Sequence, residues 1–192
     1  MTTEPNPARD PAQHPAVQAM RAVEGFAPLD QLDHLLSPVA DRLVADPRVR
    51  SMLQGRWLGH ALHPLLTDMP LGLWTSATVL DLIGGRGSRP AAQRLIGLGL
   101  AAAVPTAATG LTEWSAIRSR PERRTGALHA AVNSAALVCY AASWRARRRH
   151  HHAAGALLAL AGGGTAAIGG YLGAHLTEVR KVSTYHPGFN AE

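Results

Sequence analysis

The sequence predicts an all-α integral membrane protein: a four-helix bundle of up-down topology behind a disordered N-terminal tail and short amphipathic helices. Three observations predict it. Four apolar runs of spanning length follow one another within residues 57–177, small residues recur at helical spacing inside them, and Arg collects in the short segments between them. Only structures that close their own backbone hydrogen bonds survive in lipid, and runs of this length rich in Ala and Leu close them as helices.

Residues 1–27 carry Pro5, Pro7, Pro11 and Pro15 among polar and small residues. Such a composition buries too little apolar surface to offset chain entropy, so a disordered tail is expected. Over residues 28–56, Leu29, Leu32, Leu36, Val39 and Leu43 recur at helical spacing, which predicts short amphipathic helices broken near Pro38 and Pro47. The spans are expected at about residues 64–85, 91–113, 125–144 and 153–176, followed by a C-terminal tail over 178–192. The first run contains Asp81; the runs 95–112, 125–144 and 153–177 carry no formal charge when His129 and His175 are neutral. A water-soluble bundle would carry a polar stripe on every helix.

Gly155, Ala159 and Gly163 recur every four residues, as do Gly169 and Gly173, a pattern that lets helix backbones approach closely in lipid. Trp57 and Trp114 fall at one set of helix ends and Trp144 at the other, where amphipathic rings favour the headgroup level.

The formal net charge is +6, which raises the question of nucleic acid. The cations are nearly all Arg, with Lys181 the lone Lys, and they sit between apolar runs rather than along one helical stripe. No nucleic-acid partner is expected; the partner is the lipid bilayer. Cys139 is the sole cysteine, so there is no intrachain disulfide and no thiolate metal cage. The first ten residues have neither a basic nor an apolar leader segment, so no signal peptide is expected. The protein is therefore expected in the cell membrane with both termini on one side. Arg counts on the two sides are nearly even, and the polar N-terminal region favours the cytoplasm for that side.

This topology gathers dispersed residues at one membrane face. His60 and His63 precede the first span, Asp68 stands at its start, Glu113 closes the second, His129 and Asn133 begin the third and His175 ends the fourth. Ionisable groups bordering a span are costly and need a partner or a purpose. His63, His129 and His175 are candidate cofactor ligands, because neutral imidazole ligates metals and helical bundles point such ligands inward from different helices. His129 and His175 would suit the axial positions of haem b. His60, His63, Asp68, Glu113, His129 and His175 form a candidate set for a transition metal, with Asn133 in support. Each has a plainer role too: Asp68 as a helix cap, Glu113 as an interfacial charge, and His150-His151-His152 as a solvated turn.

The stretch Gly59-His60-Ala61-Leu62-His63-Pro64-Leu65-Leu66-Thr67-Asp68-Met69-Pro70, with Gly110-Leu111-Thr112-Glu113-Trp114, Leu128-His129-Ala130-Ala131-Val132-Asn133 and Gly173-Ala174-His175-Leu176, resembles the bacterial family called domain of unknown function 2231. The resemblance covers roughly residues 50–180 and implies a four-helix membrane protein without an established activity. Some members carry a Rieske-type iron–sulfur domain after the last helix, which implies an electron-transfer setting and a Rieske-type or other redox protein as partner. Two features depart from the pattern. Glu113 stands where relatives usually have Asp, and no Cys-x-His motif occurs in these 192 residues.

The expected function is a redox-associated membrane module binding haem or a metal through the histidines. The alternative is a non-catalytic membrane scaffold or accessory subunit with a buried polar network. No nucleophile elbow, phosphate loop or catalytic carboxylate pair is present, so no conventional enzyme is expected.

Overall fold

In the computed structural model, which describes residues 14–183, every regular element is helical. Residues 1–13 and 184–192, including most of the expected C-terminal tail, lie outside the described residues.

The expected tail does not extend through residue 27, because α1 occupies Pro15–Gly25. Pro15 opens it where a missing N–H costs nothing, and Met20 and Glu24 are buried. A tertiary contact orders this helix: the Arg124 guanidinium donates to the Glu24 carbonyl at 3.2 Å. A short turn (Ala27–Leu29) leads into α2 (Asp30–Val44), which runs through Pro38 without the expected break. Its Ala40, with Leu32 and Leu36, packs on Trp114 and Ala127. The break at Pro47 does occur, and α3 (Pro47–Leu53) starts there with Asp46 capping the Arg48 and Val49 N–H groups.

Four long helices follow: α4 (Leu62–Ile83), α5 (Arg89–Ser115), α6 (Arg120–Arg148) and α7 (His152–Ala174), the last continued by a π-helical turn, His175–Val179. Helix α4 starts well before Asp68, which is thus not its cap but an exposed residue in its second turn. Pro70 lies inside α4 and leaves the Leu66 carbonyl without its helical donor. The Thr106 hydroxyl of α5 donates to that carbonyl at 3.2 Å, so the proline becomes a helix-to-helix tie.

Small residues make up much of the interior, with Ala77, Ala92, Ala103, Ala127, Ala136, Ala159, Thr109 and Ser143 packed around Trp74, Ile96 and Tyr140; outside are Leu82 and Ile83 on α4, Leu98 and Val104 on α5, Val138 on α6, and Leu157 and Ile168 on α7. The small residues bring backbones together while these aliphatic ones face outward, as in lipid. The buried face of α7 is Gly155, Ala159, Gly162, Ala166 and Gly169 rather than the expected run through Gly163, because a 3.6-residue period alternates steps of four and three. Trp114 also departs from expectation: it is buried, its indole N–H donating to the Arg123 carbonyl at 3.0 Å and its ring covered by the Arg123 guanidinium. Among the described residues two stretches, Arg86–Ser115 and His152–Val179, are by length and composition alone apolar enough to cross a membrane. Helices α4 and α6 fall short because Asp68 and Asp81 stand in the first, and His129, Asn133 and two serines dilute the uncharged stretch of the second.

Hairpin α6–α7 repeats hairpin α4–α5. His129, Asn133, Tyr140 and Arg147 each stand 66 positions after His63, Thr67, Trp74 and Asp81. Buried Gly155, Ala159, Gly162, Ala166, Gly169 and Leu172 each stand 63 positions after Ala92, Ile96, Gly99, Ala103, Thr106 and Thr109 of α5, all buried too. Between the hairpins, His63 meets His129, Trp74 stacks on Tyr140, and Asp81 pairs with Arg147. A position touching its own counterpart is the mark of a two-fold relation, here between halves of one chain.

Candidate functional site

The site grows from the two histidines on that axis. His63 lies in the first turn of α4 and His129 in the third turn of α6. The His63 ring Nδ1 is 2.8 Å from the Thr106 carbonyl of α5, and the His129 ring Nδ1 is 2.8 Å from the Gly169 carbonyl of α7. A carbonyl only accepts, so each Nδ1 carries the proton and each Nε2 keeps its lone pair in the neutral ring. Glycines make both contacts feasible. A Cβ on Gly110 would stand 2.8 Å from His63 Cε1, and one on Gly173 would stand 3.0 Å from His129 Cε1. The two rings then meet edge to face, their centroids 6.1 Å apart.

Asn133 donates to the His129 carbonyl one turn back at 2.9 Å, and its amide nitrogen is 3.3 Å from each His129 ring nitrogen. Glu113 does more than mark an interface. Its Oε1 accepts the His63 backbone N–H at 3.2 Å, and its carboxylate also bonds the Ser183 side chain. A carboxylate from α5 thereby caps the N-terminus of α4, where unpaired N–H groups and the helix dipole favour negative charge.

Other expected members are elsewhere. His175 does not join His129; its Nε2 is 2.8 Å from Glu24 Oε1 on α1, and Arg180 holds the same carboxylate with two hydrogen bonds. His60 and Asp68 are exposed and line a groove of about 1530 Å³ that also includes Glu113, Glu122 and Arg180. Among the described residues no three His, Cys, Asp or Glu side chains converge as they would around a metal ion. The structure thus brings together His63, His129, Asn133 and Glu113, sends His175 to Glu24, and leaves His60 and Asp68 on the wall of a groove that reaches Glu113.

The family described as "Predicted membrane protein (DUF2231)" matches residues 59–186, which takes in all four long helices and every residue of this site. The chain belongs to that family. No curated protein and no solved structure matches it. The membership makes this a membrane protein of an uncharacterised family.

Sequence reasoning missed two parts of the axis, the aromatic stack and the buried arginine. Trp74 and Tyr140 stack with centroids 3.9 Å apart, Trp74 over Gly99 and Tyr140 over Gly162. Arg147 is fully buried; it donates to Asp81 Oδ1 at 2.8 Å, pairs with Oδ2, and reaches Ser143 at 3.2 Å. The signal that locates them is the 66-residue offset from the histidine pair, visible in the sequence once one matched pair is known.

Outside the four long helices, the carboxylates of Glu24, Asp30 and Asp33 fasten the N-terminal helices. Burial pushes the Glu24 carboxyl up, but hydrogen bonds from Arg180 and His175 outweigh it and hold the group below its ordinary value. The Arg123 guanidinium does the same for Asp33. A lowered folded pKa contributes stability that is present above the unfolded value and lost as pH falls through the folded one. Acid therefore loosens α1 and α2 first, starting below the ordinary carboxylate values of 4.5 for Glu24 and 3.8 for Asp33. Pepsin cleavage within residues 15–44 should rise steeply as pH is lowered through this window, while α4–α7 stay intact. Uniform cleavage across the chain would contradict it.

Proposed function

We propose that the chain is a four-span membrane protein, both termini on one side, serving as a non-catalytic accessory or scaffold module whose polar pairs lock two matched hairpins together. The observation that carries it is the arrangement of the axis. From His63 to Asp81 along α4 is about 27 Å at 1.5 Å per residue, close to the roughly 30 Å of a hydrocarbon core. A histidine pair stands at one end and an ion pair at the other, with Trp74, Tyr140 and small residues between. The outward Leu, Ile and Val side chains of α4, α5 and α7, with Val138 on α6, support four spans rather than two.

One observation favours a second reading, the redox-associated module. Ligating histidines ordinarily donate the other ring N–H to a carbonyl, which fixes the tautomer and leaves a lone pair for the metal. His63 and His129 both have that arrangement. A compact transition-metal ion suits rings in edge contact better than haem, which would have to part the helices.

One set of measurements decides between the readings. The full chain is expressed in cells supplied with iron and haem precursor, the membranes are washed at alkaline pH, and protein extracted in detergent is analysed for absorbance and metal. The scaffold reading expects membrane retention, no cofactor, and loss of about 1–3 kcal/mol of stability in His129→Ala as the Gly169 carbonyl loses its donor. Stoichiometric metal or haem, emptied by His63→Ala or His129→Ala with helix content unchanged, would replace it with the redox module. Release by the alkaline wash would end the four-span reading.

A further inference from the structure

Beside the first turns of α4, residues 47–58 combine two kinds of exposure. Arg48, Arg50 and Arg56 are exposed, and so are Met52, Trp57 and Leu58, at 55%, 70% and 42%. Asp68 and Glu178 line the same groove as Arg56, whose Nε donates to Gln54 Oε1 at 3.0 Å, but no carboxylate forms an ion pair with Arg48, Arg50 or Arg56 among the described residues. Asp46 is engaged in capping α3, and Asp41 is a turn away on α2. At this end of the molecule Asp33 pairs with Arg123, Asp30 with Arg124 and Glu24 with Arg180, while Arg118 and Arg120 are exposed without an ion pair among the described residues.

The exposed apolar residues are also placed. Trp57 folds back so that its indole N–H donates to the Met52 carbonyl at 3.3 Å. Arg56, Gly59 and His60 line the same groove as Leu65 and Asp68 of α4, and Leu65 and Met69 are exposed at 58% and 57%. The outward apolar surface of α4 therefore continues into this segment. Amphipathic rings and aliphatic side chains beside unpaired Arg match the boundary between acyl chains and headgroups.

We propose that residues 47–58 form an interfacial anchor that binds anionic phospholipid headgroups, with Arg48, Arg50 and Arg56 on the phosphates and Met52, Trp57 and Leu58 entering the acyl boundary. The proposal rests on the four-span reading and adds a lipid class and the residues that select it. A cation near an anionic leaflet gains roughly fivefold in binding, and the effect is screened within a Debye length.

The test reconstitutes the full chain into nanodiscs of phosphatidylcholine with about one-third phosphatidylglycerol, and counts the phospholipid that stays bound after extraction into mild detergent. Wild type should retain phosphatidylglycerol over phosphatidylcholine by fivefold or more, and the preference should fall in high salt. The triple variant R48Q/R50Q/R56Q should retain the two alike while melting like wild type. No preference in wild type, or an equal preference in the variant, overturns the anchor. Alkaline washing of the source membranes keeps the two ideas apart: a retained chain without lipid preference fails the anchor alone, and a released chain fails the four-span reading and the anchor with it.

Discussion

Asp81→Ala should destabilise the fold by about 3–5 kcal/mol, roughly 10 °C in melting temperature for a chain of this size. The reason is the partner left behind. The Arg147 side chain is 0% exposed and its guanidinium pairs with both Asp81 oxygens, while its stem fills the notch above Gly155. Without the carboxylate, a charge remains in a low-dielectric environment with only Ser143 to solvate it. Replacing both partners removes the problem, so Asp81→Ala with Arg147→Met should recover most of the loss. Thermal melting of the wild type, both single variants and the double variant in one detergent measures the coupling. If the double variant melts as low as Asp81→Ala, the ion pair is not the source of the effect.

Gly99→Ala should be the most damaging of the conservative helix substitutions, although Ala favours helix over Gly by about 1 kcal/mol. A Cβ there would stand 2.2 Å from Trp74 Nε1 and 2.6 Å from its Cδ1. Trp74 is 5% exposed and stacked on Tyr140, so the ring has nowhere to go without breaking the stack. Overpacking of this kind costs about 1–3 kcal/mol, and the severity of this clash puts Gly99→Ala at the top of that range. The repeat supplies the controls. At the matched position, Gly162→Ala meets Tyr140 at 3.1 Å and should cost less, whereas Gly164→Ala meets nothing within 4 Å and should be neutral or slightly stabilising. Equal melting temperatures for the Gly99 and Gly164 variants would show that the stack does not set the packing.

Much of the fold was legible because long apolar helices announce themselves locally. The apolar runs and the proline at 47 correspond to α4–α7 and to the start of α3. Boundaries were less legible: α6 extends through Arg148, past the apolar run that ends at Trp144, because Arg147 has a partner on α4. The candidate site was half legible. His63, His129, Glu113 and Asn133 do come together: His63 and Glu113 sit in end turns of α4 and α5, and His129 and Asn133 follow in the third and fourth turns of α6. His175 sits at the same end of the bundle, and its rotation about α7 sends it to Glu24. Rotation depends on the packed face, which sequence depth does not report.

By itself, the sequence determined the helical class, the family and the small residues along which the helices pack. These follow from composition and a one-dimensional period. Only the tertiary structure decided which polar groups meet. Pairings such as His63 with Thr106, His129 with Gly169, Asp81 with Arg147 and Glu24 with Arg180 link residues 40 or more positions apart. Hydrogen bonds act over about 3 Å and are directional, so a few degrees of helix rotation choose one partner over another. The two-fold match of the hairpins lies between these cases: its residues were in the sequence throughout, and the contacts across the axis made the register visible.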